Sequence, residues 1–491
     1  MKIVKPRIFL QRLSENSERM STRRLLIALV SVAVIGAIPL LSVWQVAIAA
    51  GDEVRSLKIQ EPLQPPPITQ ILSARRVPQT LADLESAAKV QDELLQVVSA
   101  LPAESCLVIS TNGKTIIEVN PNMALIPGSN QKLITAAVAL DVLGPDRKFT
   151  TRLLGNVVNS VVRGDLWLVG SGDPLLTTRA YPLTEKYPTM TPTDVEVLVD
   201  ELVAIGVTSV NGGVIGDETI YDSERYVPSW GDGIRSVEAG PLGALVVNDG
   251  SITGTPLKPA NPALAAATEF TNLLESRGIA VRDAPDVGAA SMDLPVIATL
   301  ESVPMAQVVA EMLTNSDNNT AEMLVKEIGL VGRNSATRVD GLTVIAQKIA
   351  DWGLPGQGVA LIDGSGLDRE NRLTCNLLTQ LLHRDGRTGL VTTSMALAGK
   401  TGTLRDTFIT GAGSGTMLAK TGTLNGVKSL SGMFPLKENR SSVFSLIMNG
   451  SGVSTLDFYR SIWNDLATAL AFGDERMNVN KLLPLTQAVA P

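Results

Sequence analysis

Apolar positions recur along this chain in three rhythms, and each marks a different kind of element. First comes an unbroken uncharged run from Leu25 to Ala50. Leu81, Leu84, Ala88, Leu94, Leu95 and Val98 then fall at helical spacing and predict a helix over about 80–98. A hairpin is predicted next, from Cys106 to Ser110 and Thr115 to Val119, joined by Asn112-Gly113, the pair a two-residue primed hairpin turn requires. A helical pattern from Leu133 through Leu143 follows the break at Pro127-Gly128 and stops at Gly144-Pro145. From about Asp146 to Thr299 the chain is rich in Gly, Val and short alternating runs, which reads as an inserted, mainly β module. Helical spacing returns at Met305, Val308, Val309 and Met312, breaks over Thr314 to Asn318, and resumes at Ala321, Leu324 and Ile328. Strands are predicted at Thr416 to Leu424, Val427 to Phe434 and Ser442 to Met448, with Asn425-Gly426 as the first turn. Leu456, Tyr459, Trp463, Leu466 and Leu470 make one face of a closing helix. The expected fold class is α+β: an antiparallel sheet flanked by helices, with a large inserted module. The expected divisions are a leader over 1–50, a linker over 51–79, a principal domain over 80–145 plus 300–475, the module at 146–299 and a tail at 476–491.

Charge sharpens the reading of the leader. Lys2, Lys5, Arg7, Arg12, Arg19, Arg23 and Arg24 precede the apolar run, which ends in the small-residue pattern Ala47-Ile48-Ala49. That is an export signal. The run is also long enough to span a bilayer, so an uncleaved anchor through residues 25–50 competes with cleavage after Ala49 or Ala50, the favoured outcome. Either way the bulk of the chain is expected in the periplasm or an equivalent extracytoplasmic space. Pro62, Pro65, Pro66 and Pro67 hold the following linker extended. Removing the leader, with its net charge of +5, takes the chain from −7 to −12. Without a basic stripe, nucleic acid is an unlikely partner. One histidine, His383, and two distant cysteines, Cys106 and Cys375, cannot build the usual zinc sites, and no cofactor is implied. The cysteines are expected to be two separate buried thiols.

Three short stretches carry the chemistry. Ser129-Asn130-Gln131-Lys132 opens a helix, so its hydroxyl and amine stand one turn apart on one side. A serine hydroxyl needs a neighbouring base, and a lysine amine becomes one when burial and nearby positive charge lower its proton affinity. The bland alternative is an N-capping serine and a surface lysine. Ser316-Asp317-Asn318 lies in the break between two helices; Ser316 can relay a proton and Asn318 can hold a substrate amide, or the three simply cap the next helix. Lys420-Thr421-Gly422-Thr423-Leu424 lies in a predicted strand, where Lys420 and Thr421 can meet a carboxylate and the Thr423 N–H an oxyanion. The same pentapeptide occurs at Lys400-Thr401-Gly402-Thr403-Leu404 without a hairpin behind it, and its lysine is read as incidental.

Together these stretches resemble the D-alanyl-D-alanine carboxypeptidases and endopeptidases of the class C low-molecular-mass penicillin-binding proteins, a branch of the penicillin-recognising serine enzymes. The resemblance extends to residues 164–174, Val214-Ile215-Gly216-Asp217, Val247-Asn248-Asp249, Asp363-Gly364-Ser365-Gly366-Leu367 with Asn371-Arg372, and Ser429-Leu430-Ser431-Gly432. It implies a transpeptidase fold shared with serine β-lactamases. It also implies Ser129 as acylated nucleophile, Lys132 as its base, and Ser316 and Asn318 as proton relay and substrate clamp. Lys420 with Thr421, Gly422 and Thr423 would form the carboxylate site, and the N–H groups of Ser129 and Thr423 the oxyanion hole. The implied partners are peptidoglycan stem peptides as substrates and β-lactams as acylating inhibitors. Two rivals stand beside this reading. A β-lactamase needs a deacylating base, and Glu311 and Glu322 read only as helix-face carboxylates; a non-catalytic wall-binding or β-lactam-sensing protein would keep the same pocket.

Overall fold

The computed structural model describes residues 26–35, 42–47, 78–188 and 190–475. The chain separates into two units, 1–77 and 78–491. In the first, residues 26–35 and 42–47 are helical and exposed. The remainder of the uncharged run, the linker as far as residue 77 and the tail from 476 lie outside the described residues. Among the described residues no helix is long and apolar enough to cross a membrane.

The second unit begins with α1 (Pro78–Ala100) and the hairpin β1 (Ser105–Thr111) and β2 (Lys114–Val119), turning through Asn112 and Gly113 at φ 50° and 76°. The helix lies where the periodicity places it, but its buried stripe is Ser86, Val90, Leu94 and Val97, while Leu84 and Leu95 are more than half exposed. The stripe advances by four, four and three residues, which keeps one face inward; Leu95 sits one step around the helix from it. After α2 (Gln131–Leu143) the chain enters a second sheet through the hairpin β3 (Thr150–Val158) and β4 (Val161–Val169).

In that sheet β5 (Val214–Asp217) runs parallel to β4, and β6 (Val296–Glu301) runs antiparallel to β3. Two helices, α3 (Glu196–Ala204) and α4 (Pro262–Ser276), pack on it, so the segment is mixed α and β. Pro262 sits at the start of α4, and the Asn261 carboxamide accepts from the N–H groups of Ala263 and Leu264, capping orphan donors of the first turn. Leu153, Val162, Leu166, Leu168, Val199, Leu202, Phe270 and Leu274 form a core of their own between sheet and helices.

The chain then returns through α5 (Met305–Asn315), α6 (Asn318–Arg333), α7 (Arg338–Asp351) and α8 (Cys375–Asp385). It closes with β7 (Ala396–Leu397), β8 (Leu418–Leu424), β9 (Val427–Pro435), β10 (Ser441–Asn449) and α9 (Leu456–Ala471). The principal sheet has the order β7-β8-β9-β10-β1-β2, so the N-terminal hairpin completes a sheet begun by C-terminal strands. Both its faces are covered. Cys106 and Val108 of β1 face α2, α5, α6 and α8, whereas Leu107 and Ile109 face α1 and α9. This period of two explains why β1 reads as an unbroken apolar run instead of an alternation.

The cysteines are not separate thiols. Cys106 on β1 and Cys375 at the start of α8 form a disulfide with Cα atoms 5.8 Å apart, linking positions 269 residues distant in sequence. The pairing depends on α8 laying its first turn over the sheet face that Cys106 points into, a juxtaposition no local pattern records.

Candidate active site

Ser129 stands in one turn of 3-10 helix, Gly128–Asn130, which leads directly into α2. The capping alternative fails here: the Ser129 hydroxyl accepts from Lys132 Nζ at 3.1 Å. Lys132 is fully buried, and its ammonium also donates to Asn318 Oδ1 and to the Ser365 carbonyl, each at 2.7 Å. Burial pulls its pKa from 10.5 down to about 8, against the opposing pull of Asp363, Glu322, Asp317 and Glu238. Asn130, between them in sequence, turns inward and donates to Ser431 Oγ at 2.7 Å.

The second stretch divides its labour. Asp317 does what a cap does, accepting from Thr320 N at 2.8 Å at the start of α6. Its neighbours are thereby turned outward: Ser316 closes α5 in the left-handed conformation, φ 67°, and Asn318 begins α6. Ser316 Oγ accepts from Lys420 Nζ at 2.8 Å, and Asn318 spans Lys132 through its oxygen and the Glu238 carbonyl through its nitrogen, the latter at 2.8 Å. The Asp317 carboxyl is pushed up to about 7, chiefly by burial and then by Asp249.

Lys420 and Thr421 lie on β8, paired in register with Ser431 and Leu430 of β9. Lys420 is fully buried, and its second acceptor is the Thr421 carbonyl at 2.9 Å. Its pKa is pulled well below the ordinary range by burial first, then by Lys132 and Lys428. Gly422 has a packing reason: a Cβ there would lie 2.2 Å from Ser429 Oγ, 2.6 Å from the Pro127 carbonyl oxygen and 3.0 Å from Ser129 N. Across the same junction a Cβ on Gly128 would lie 3.2 Å from Thr423 N. Two glycines therefore let the serine turn and the strand meet backbone to backbone, with the amides of Ser129 and Thr423 at one seam.

Several partners escaped the sequence reading. Glu322 is a buried carboxylate, not a helix-face one: it accepts from Gly364 N at 3.0 Å and Ser365 N at 2.7 Å, fixing the loop whose carbonyl receives Lys132. Burial, then Asp363, pushes it up to about 8. Asp363 holds the same loop, accepting from Gly366 N, Asp368 N, Asn371 Nδ2 and the indole of Trp230. The resemblance had included Asp363-Gly364-Ser365-Gly366-Leu367 with Asn371, but it gave none of them a role. Glu311 is also engaged, accepting from Met190 N at 2.8 Å. In the first copy of the pentapeptide Lys400 is exposed, whereas the Thr403 hydroxyl accepts from Thr421 Oγ1 at 3.0 Å. His383 pairs with Ser110 and takes no part in this network.

Chemically, the arrangement puts a hydroxyl against a buried amine of lowered proton affinity, and a second hydroxyl against a second buried amine, along one strand edge. A model of the D-Ala-D-Ala carboxypeptidase 3 (S13) family matches residues 86–261 and 255–468. The chain belongs to that family. It is a serine D-Ala-D-Ala carboxypeptidase of the penicillin-binding type. Among similar proteins, the D-alanyl-D-alanine carboxypeptidase of Actinomadura sp. (strain R39) is 29% identical over 70% of this chain and 77% of its own length. A carboxypeptidase of Mycobacterium tuberculosis is 26% identical over 83% of this chain and 89% of its own. The crystal structure of penicillin binding protein 4 from Haemophilus influenzae superposes with a TM-score of 0.63 at 20% identity, covering 76% of this chain and 99% of that one. That likeness shows the fold expected from the sequence, the α+β fold of penicillin-recognising enzymes.

Proposed function

We propose that Ser129 is the nucleophile with which this family member removes the terminal D-Ala from peptidoglycan stem peptides. The observation that carries this reading is a pair of contacts, Lys132 Nζ on Ser129 Oγ at 3.1 Å and Lys420 Nζ on Ser316 Oγ at 2.8 Å, with Asn318, two residues after Ser316, accepting from Lys132 at 2.7 Å. Ser129 Oγ attacks the penultimate D-Ala carbonyl and its proton passes to neutral Lys132. The developing oxyanion lies at the amides of Ser129 and Thr423, which are fixed before substrate arrives. As the C–N bond breaks, a proton reaches the departing amine through Ser316, and D-Ala leaves with an acyl-Ser129 ester behind it. Water then adds to the ester, and the released alcohol regains its proton. Asn318 holds the substrate amide; Lys420, Thr421, Gly422 and Thr423 form the carboxylate seat. An arriving carboxylate supplies the counter-charge that buried Lys420 lacks and raises its lowered proton affinity.

β-Lactams present a strained amide and a carboxylate in the same relation, so they acylate the same hydroxyl. In support, a Haemophilus influenzae penicillin binding protein 4 of the same fold has been crystallised with a β-lactam. The β-lactamase alternative loses ground because Glu311 and Glu322 already accept backbone N–H groups. The test is D-Ala release from a D-Ala-D-Ala stem-peptide analogue: the intact chain is expected to release it and Ser129→Ala to fall by at least a thousandfold. Equal release by both would remove Ser129 from its role, and none from either would leave a binding protein.

The reading also places the enzyme outside the cytoplasm, supported by the basic and apolar leader and by a buried disulfide, a bond of oxidising compartments. Of the two fates of the leader we take cleavage after Ala49 or Ala50 rather than anchoring through residues 25–50. The N-terminal residue of protein recovered from cells decides it, and a chain still beginning near Met1 would establish the anchor. Segment 146–299 we take as a module grafted onto the peptidase, with a supporting role at the site: its Glu238 carbonyl holds Asn318, and its Gly240 N–H donates to Asn319 Oδ1 at 2.6 Å. A chain lacking the module is expected to lose β-lactam acylation; undiminished acylation would reduce it to a spacer.

A further inference from the structure

The duplicated pentapeptide leaves a question the mechanism does not use: what the first copy does beside the second. Its lysine faces solvent, but its remaining residues are held tightly. Thr401 Oγ1 accepts from Leu397 N at 2.9 Å, and Leu404 is fully buried in the core under α1 and α9. Gly402 has φ 46°, and a Cβ on it would lie 1.9 Å from the Thr314 carbonyl oxygen in the last turn of α5. The turn is therefore wedged between the helix that delivers Ser316 and the strand that delivers Thr421. From this fixed turn Thr403 presents its hydroxyl to Thr421 Oγ1 at 3.0 Å.

A threonine hydroxyl has one proton and two acceptor sites. In the free enzyme the Thr421 proton goes to Thr403. When a substrate carboxylate occupies the seat, that proton is needed by the carboxylate, and Thr421 oxygen is left able to accept. Thr403 is the group placed to donate into it, and a donor bound in this way polarises the Thr421 O–H toward the anion. We infer that Thr403 is a positioning residue of the carboxylate seat, reversing its hydrogen bond with Thr421 as substrate binds and so raising selectivity for substrates that end in a free carboxylate. This rests on the assignment of Lys420 and Thr421 as that seat. The first pentapeptide thus contributes a hydroxyl, not a lysine.

The test compares acylation of the whole protein by benzylpenicillin, which has the free carboxylate, with acylation by its methyl ester, which lacks it. Intact mass and peptide mapping follow the Ser129 adduct, at high probe concentration for the slower ester. In Thr403→Val the second-order rate constant for the acid is expected to fall about five- to tenfold, the worth of one hydrogen bond to a charged group's donor, with the ester unchanged. Thr403→Ser is expected to restore the acid rate. An unchanged acid rate in Thr403→Val overturns the inference, and so does an equal loss on both probes, which marks a merely structural turn. Failure of the unmodified enzyme to label at Ser129 with either probe instead removes the reading on which the inference rests.

Discussion

At the scale of single residues the decisive quantity is the proton affinity of Lys132. An exposed lysine amine is almost wholly protonated at neutral pH, useless as a base; burial against the Ser129 hydroxyl brings it to about 8. The sign is fixed by the role. In the proposed mechanism only neutral Lys132 takes the serine proton, so acylation is expected to rise about tenfold per pH unit below that value and to level off above it. Stopped-flow acylation by a β-lactam between pH 5.5 and 9.5 checks this, and a flat profile would move the base elsewhere. That Ser129, Lys132, Ser316, Asn318 and Lys420 meet could be expected because three stretches, each open to a bland reading or a chance match alone, occur together in one order, and the structure brings these side chains into contact with one another. Glu322 was not legible. An acidic residue on a helix looks solvated until the 363–368 loop is known to lay its N–H groups over it.

At the scale of elements the site is an agreement between one turn and one strand. The hairpins and the closing helix could be read because turn residues and apolar spacing specify them locally. What could not be read was how near β8 runs to the Ser129 turn, since Gly422 has no side chain to advertise a contact. Its spacing supplies a prediction. In Gly422→Ala the new methyl group meets Ser429 Oγ at 2.2 Å and the Pro127 carbonyl at 2.6 Å, so strand and turn must separate. Ser429 Oγ donates to that same carbonyl at 2.7 Å, which leaves the hydroxyl little freedom to swing aside. A shift of about 1 Å at the seam costs on the order of a hundredfold in acylation rate. Far-UV circular dichroism should remain that of the parent, because the sheet and helices are held by cores that the seam does not enter. Parental acylation by Gly422→Ala would show that the junction is slack.

At the scale of the whole molecule, the sheet is covered on both faces and assembled from opposite ends of the chain. β1 pairs with β10 in register from Ser105 opposite Met448 to Thr111 opposite Ser442, and the long excursion between them carries the second sheet. A chain arranged this way closes very long loops on folding, and the Cys106–Cys375 bond pins one spanning 269 positions. Each cysteine alone looked like a small buried hydrophobe, which both are; proximity came only with the packing of α8 on β1. By restricting the unfolded chain, such a link is worth roughly 2–4 kcal/mol. The double variant Cys106→Ala with Cys375→Ala is therefore expected to unfold at lower denaturant concentration by about that free energy. The intact protein should shift to match it once a strong reductant has been admitted. Because neither cysteine touches the Ser129 network, the folded double variant should still acylate at the parental rate. Thiol titration of the unfolded, unreduced protein makes the measurement decisive, since two reactive thiols there would mean that the bond does not form and that the stability of the sheet rests on packing alone.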